Sequence, residues 1–213
     1  MNTILIIIIA LTILISYQGF NNMSFFRKYE FHIGSIRAGE QIRMISSAFL
    51  HADWMHLAFN MYTLYMFAPI VIGYSGDFTF LLIYLASLIF GSLLTLTMHK
   101  NDYNYRAIGA SGAVMGVVYS AILFEPGMSL YLFFIPVPIP AYIFGIGYLL
   151  YSIYGMKAKN DNIGHTAHFG GAIGGYLITL LKNPDMFTNN LMIVVLLAIP
   201  IIILFGMEKA GKL

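Results

Sequence analysis

Apolar stretches of about twenty residues, the length that crosses a bilayer, recur along this chain, and after residue 53 the breaks between them are short and turn-forming or charged. No other feature restricts the fold as much. Of the 213 residues, 59% are hydrophobic and 9% charged, against about 25% charged in a soluble domain. A water-soluble globule of this size has no way to bury so much apolar surface while hydrating its exterior with so few charges. The sequence therefore predicts an all-α polytopic membrane protein. A lipid-spanning barrel would need alternating segments of about ten residues, which are missing. The net charge of +2 gives no basic face for nucleic acid, and the lack of cysteine excludes thiolate and disulfide chemistry.

A single membrane domain over 1–213 is expected, with spans at 2–20, 54–73, 78–98, 109–125, 138–157, 165–182 and 189–207. Met1-Asn2-Thr3 offers no basic start for a signal peptide, so the first run reads as a span. Residues 21–53 hold four of the eleven cations and are too long for a structureless connector, which predicts a compact interfacial subdomain with Trp54 as an anchor. Gly73 to Asp77, Glu125-Pro126-Gly127 and Asn183-Pro184-Asp185 carry turn chemistry. Pro136, Pro138 and Pro140 place an irregular segment before the fifth span.

The fourth span is short. From Ser111 to Glu125 the chain climbs about 21 Å as a helix, against about 30 Å of hydrocarbon. Its start should lie below the membrane surface, with Ser111 at the bottom of a wet depression, because irregular backbone such as 107–110 is tolerated at depth only where it lines a cavity or is buried in protein.

Polar residues inside spans need a reason. His56 and Asn60 are four apart on one helix face, with His51 just before; they serve either to cross-link helices or to donate to a ligand. Gly109 and Gly112 flank Ser111 and leave backbone N–H groups open beside its hydroxyl, as an oxyanion requires. His165 and His168 precede Gly171 and Gly175, a close-packing face that Gly112 and Gly116 match on the fourth span. If those faces meet, a histidine reaches Ser111 and supplies the base that a serine nucleophile needs. His168 is preferred to His165 because it is in phase with the glycines after it. His56, Asn60 and the Ser111 backbone would then stabilise the oxyanion.

His51…His56…Asn60, Gly-Ala-Ser-Gly at 109–112 and Ala-His-x-x-Gly-x-x-x-Gly at 167–175 together resemble the rhomboid family of intramembrane serine proteases. The resemblance implies a six-helix core plus one C-terminal helix that acts as scaffolding. It implies Ser111 as nucleophile, His168 as general base, and His56 and Asn60 as oxyanion donors, with His51 and His165 in support and no cofactor or metal. Partners would be transmembrane protein substrates and the lipid bilayer. Arg43 matches the family's first-loop arginine, but Ile42 stands where tryptophan is usual. Met115 stands where many members place an aromatic against the catalytic histidine. The segments between spans 4 and 6, above all span 5 and 157–164, are candidates for a gate. Two rival readings are a zinc hydrolase built on His51, His56, His165 and His168, and an inactive relative that binds membrane clients. The family orientation, in a plasma or inner membrane, opens the site to the exoplasm. Ten of the eleven cations would then lie outside, against the positive-inside rule.

Overall fold

The computed structural model describes residues 2–131, 137–158 and 163–213. Pro136, Lys159, Asp161 and the middle of the 157–164 segment lie outside them. The long helices are α1 (Thr3–Asn21), α5 (Trp54–Met98), α6 (Ser111–Phe124), α7 (Ala141–Ala158), α8 (His165–Lys182) and α10 (Leu191–Lys209). The short α9 (Met186–Asn189) joins the last two. Three of them, α1, α5 and α10, are long and apolar enough to cross a membrane, and α6 is a shorter apolar helix.

The hairpin expected between 73 and 78 is made by one residue. Within Trp54–Met98 only Gly76 leaves helical geometry, at φ 77° and ψ 168°, a region open to glycine because it has no Cβ. The arms 54–75 and 77–98 fold back from it. Asn2 Nδ2 donates to Asp77 at 2.6 Å at that end and also caps α1 with its side-chain oxygen. The start of α7 is later than expected because Ile139–Pro140 pairs as a strand with Ser129–Leu130.

Residues 22–50 form the expected compact unit, built from α2 (Met23–Tyr29), α3 (Ile33–Arg37), α4 (Arg43–Ser46) and a 3₁₀ turn, Ser47–Phe49. It has a small core of its own, Phe31, Ile33 and Ile36, closed by Met44, Leu96 and Tyr105. Strand β1 (Phe31–His32) pairs with β2 (Arg106–Ala107), and the buried Glu30 carboxylate takes Arg106 and Arg27. The unit is thereby tied to the segment leading into Ser111. Trp54 is exposed and packs its ring on Phe20, 4.9 Å between centroids.

At the centre stands α6, with every residue from Gly112 to Leu123 buried. The α5 arms and α8 enclose it. Two glycine faces on α8 make this possible. A Cβ at Gly171 would overlap the Gly112 carbonyl, and one at Gly175 the Gly116 carbonyl. On the other face, a Cβ at Gly170 would lie 2.6 Å from the Phe90 carbonyl and one at Gly174 2.8 Å from Ser87 Cα. Across the crossing, Thr179 donates to Ser120 Oγ at 2.8 Å. Between helices already in lipid there is little hydrophobic gain, so such backbone contact carries the association.

Gly171→Ala is therefore expected to lower the thermal unfolding midpoint in detergent sharply, as overpacking by about 1–3 kcal/mol or more requires. Gly147→Ala is the control, since nothing lies within 4 Å of its added methyl, and its midpoint should match that of the unsubstituted chain.

Candidate active site

The sequence between β2 and α6 has to turn sharply at depth, and Gly109 makes the turn at φ 114°. A Cβ there would lie 2.8 Å from the His56 Nε2, so only glycine lets the imidazole sit against this backbone. Two hydrogen bonds pin the turn from the interfacial side. Gly109 N–H donates to the Ser47 carbonyl at 3.0 Å, and Ala110 N–H to His51 Nε2 at 3.3 Å. His51 is fully buried. Its Nδ1–H donates to Ser16 Oγ at 2.8 Å, and that hydroxyl donates in turn to the Phe49 carbonyl. Every polar atom of the ring has a fixed direction, which defines the neutral Nδ1–H form.

Ser111 is the first residue of α6. Ala110 before it has no side-chain oxygen to cap the helix, so the first-turn N–H groups and the positive end of the helix dipole are left to whatever the site binds. Ser111 Oγ lies 2.6 Å from His168 Nε2. The glycine crossing sets this distance: Ser111 precedes Gly112, and His168 lies one turn before Gly171. His168 Nδ1 and the Tyr148 hydroxyl lie 2.6 Å apart, with the ring centroids 6.0 Å apart and tilted by 32°. With its proton on Nδ1, the imidazole presents its Nε2 lone pair to the serine. His165, also buried, points elsewhere: its ring fills the space a Cβ on Gly155 would need and stands edge-on to Tyr151, 5.3 Å between centroids.

Asp53 accepts from His56 N–H at 2.7 Å and starts α5. His56 Nδ1 accepts a long 3.5 Å contact from Ala52 N–H, leaving the ring proton on Nε2, at the Gly109 backbone. Asn60 is buried and donates one amide hydrogen to the His56 carbonyl at 3.0 Å. Met115 is buried one turn into α6, and the aromatic beside His168 is Tyr148 from α7. Behind Ser111 a cavity of about 40 Å³, lined by Ser47, Ser92, Thr95 and Gly109 among others, exceeds the volume one water needs. Among the described residues no three metal-ligating side chains converge, and His51 has both ring nitrogens committed.

Tyr148 is the residue that the sequence did not mark. It is one of four tyrosines in α7, with Tyr142, Tyr151 and Tyr154, and nothing in its neighbours sets it apart. Glu30 escaped attention for a similar reason, since its partner Arg106 is 76 positions away.

Comparison with known proteins gives the family. The family model for the Rhomboid domain matches residues 38–185. The mitochondrial RHOMBOID-like protein 12 of Arabidopsis thaliana is 29% identical over 75% of this chain and 52% of its own length. YdcA of Bacillus subtilis, a candidate rhomboid protease by its name, is 34% identical over 67% of this chain and 68% of its own. The mitochondrial rhomboid protein 1 of Saccharomyces cerevisiae is 30% identical over 64% of this chain and 40% of its own. This chain thus spans about half the length of the plant relative and less of the yeast one. The chain belongs to the rhomboid family, and it is a multi-pass membrane protein.

Two outcomes are expected. Burial, with a smaller contribution from His56, lowers the His51 pKa from 6.5 to about 3 against an opposing Asp53. The folded value lies below the unfolded one, so the stability it supports is complete above about pH 6.5 and is lost as pH falls toward 3. Thermal unfolding should show that loss, and His51→Gln should give a lower midpoint at neutral pH with a shallower acid slope. Separately, Tyr148→Phe should lower kcat about five- to tenfold with little change in KM, the loss of one orienting hydrogen bond.

Proposed function

We propose that the protein is a serine-type intramembrane endopeptidase that cleaves transmembrane helices through an acyl-enzyme. The observation that carries this reading is the 2.6 Å contact between Ser111 Oγ and His168 Nε2 at the uncapped start of a buried helix. In the proposed reaction His168 Nε2 takes the Ser111 proton as Oγ attacks the scissile carbonyl carbon. The resulting oxyanion receives hydrogen bonds from Ser111 N–H, His56 Nε2–H and the second Asn60 amide hydrogen. The C–N bond then breaks, and His168 returns the proton to the leaving amine. Water attacks the acyl-serine by the same route in reverse. Each oxyanion donor is typically worth about 3–4 kcal/mol.

A helix conceals its carbonyls, so substrates with glycine, proline or polar residues near the cut should be preferred. Seven spans are assigned: α1, the two arms of α5, α6, α7, α8 and α10. The exoplasmic opening is retained despite the cation count. Arg27 and Arg106 pair with Glu30, Arg43 with Glu40, and Arg37 donates to the Lys100 carbonyl while lying over the Tyr103 ring. Four of the ten cations on that side therefore have a use in the fold that is independent of topology.

In detergent, with a transmembrane substrate carrying small and helix-breaking residues, the unsubstituted chain should cleave, and a metal chelator should leave the rate unchanged. Ser111→Ala and His168→Ala should abolish cleavage, and His56→Ala should lower kcat about 10²- to 10³-fold. Cleavage that survives Ser111→Ala, or is lost with chelator, would sink the dyad.

A further inference from the structure

The last helix, α10, lies beyond the matched 38–185 segment, and nothing so far gives it a role beyond general scaffolding. It is nevertheless the helix against which α7 packs most extensively; α7 meets α6 and α8 over smaller contacts. This is consequential because α7 carries Tyr148 and α8 carries His168, so whatever seats α7 also sets where the Tyr148 hydroxyl stands against the imidazole.

One turn of α10 touches both helices. Leu197 is fully buried, and its side chain lies 3.4 Å from where a Cβ on Gly145 would stand. Gly145 is three residues before Tyr148, so the contact sits one turn from the functional hydroxyl. Its carbonyl also accepts from Tyr119 of α6 at 3.0 Å, which fixes this point of α7 between α6 and α10. Three residues before Leu197, the Val194 carbonyl accepts from the buried Tyr176 hydroxyl of α8 at 2.9 Å. Tyr176 lies eight residues, about two turns, beyond His168. Residues 194 and 197 share a face, so this one turn of α10 is seated on α7 and α8 together.

We infer that α10 braces α7 against α8 and so holds the Tyr148 hydroxyl on His168, with Leu197 and Tyr176 as positioning residues; the inference rests on the dyad reading above. Without the brace α7 keeps its direct contacts with α8, Tyr151 on His165 among them, but loses the wall behind Gly145 that sets where Tyr148 stands. The imidazole then samples orientations in which Nε2 no longer faces Ser111. The effect belongs to kcat, because none of these residues reaches the substrate.

The test uses the full chain in detergent with Leu197→Ala, Tyr176→Phe, Tyr148→Phe and the double variant Leu197→Ala/Tyr148→Phe. Steady-state cleavage of the transmembrane substrate is measured together with amide hydrogen exchange and the unfolding midpoint. Leu197→Ala should lower kcat by roughly the factor lost in Tyr148→Phe, about fivefold, with KM little changed. The double variant should lose little more than either single one. Exchange should quicken in α7 and not in α6, Leu197→Met should restore both readouts, and Tyr176→Phe should act in the same direction more weakly. Full kcat in Leu197→Ala at a lowered midpoint, losses that multiply in the double variant, or unchanged α7 exchange would each overturn the brace. If the unsubstituted chain cleaves nothing, the dyad reading fails. The exchange measurement then still decides whether α10 holds α7.

Discussion

The contact between two helix backbones, α6 on α8, is the constraint from which the rest of the structure follows. Gly171 meets Gly112 and Gly175 meets Gly116 so closely that neither glycine of α8 has room for a Cβ. Because the pairs repeat every four residues, they fix the helices in rotation as well as in distance. A slip of one residue would turn a side chain by about 100° and move it about 1.5 Å, and His168 would leave Ser111. The 2.6 Å dyad distance is thus a consequence of glycine register and needs no special device at the serine. The same packing surrounds α6 with protein, and the cavity at its start, which Ser47, Ser92 and Thr95 help to line, leaves room for a water at the uncapped helix end.

From the other side the turn at 109–110 is held by the interfacial unit. Ser47 and His51 each accept one of its N–H groups, and the β1–β2 pair with the Glu30–Arg106 ion pair fixes the chain just before it. Buried ion pairs contribute little net stability but are costly to break on one side. Their effect here is positional: Arg43, itself buried, donates to the carbonyls of Arg27 and Glu30, so the unit is closed around its charges. His56 and Ser111 therefore stand on different elements, α5 and α6, that are brought together at the 109–110 turn.

Much of this was legible in the sequence, and the boundary is physical. Glycines at four-residue spacing, a serine between glycines, and His56 with Asn60 on one face are local patterns, and the structure brings Gly171 onto Gly112, His168 onto Ser111 and His56 onto Gly109. The membrane class followed from the span-length apolar runs together with the low charge content. What escaped was either nonlocal or degenerate. Whether the 73–77 break turned at one residue or five depended on a single φ at Gly76. Pairing of 31–32 with 106–107 joins segments far apart in sequence without any hydrophobic alternation to announce it. Tyr148 has no local signature, because its partner is chosen by how α7 crosses α8. Composition likewise put α10 in lipid but could not show that its 194–197 turn seats on two helices.

The partner of His168 Nδ1 is a neutral phenol where serine proteases of the triad type place a carboxylate. In water-filled clefts a carboxylate both orients the imidazole and stabilises its charged form. Within a membrane a carboxylate would have to be desolvated with no lasting cation beside it, since the imidazolium exists only transiently. A tyrosine hydroxyl keeps the orienting function without that penalty and gives up part of the charge stabilisation. In the proposed reaction the remaining burden falls on groups that act when charge develops on the substrate: the α6 dipole, His56, Asn60 and the backbone at Ser111. This division makes the placement of the phenol matter more than its chemistry, since a neutral hydrogen bond is worth about 1 kcal/mol only while its geometry is kept. A helix that carries such a group therefore needs support from outside the site, and in this chain the surface available for that support is the face of α7 turned to α10.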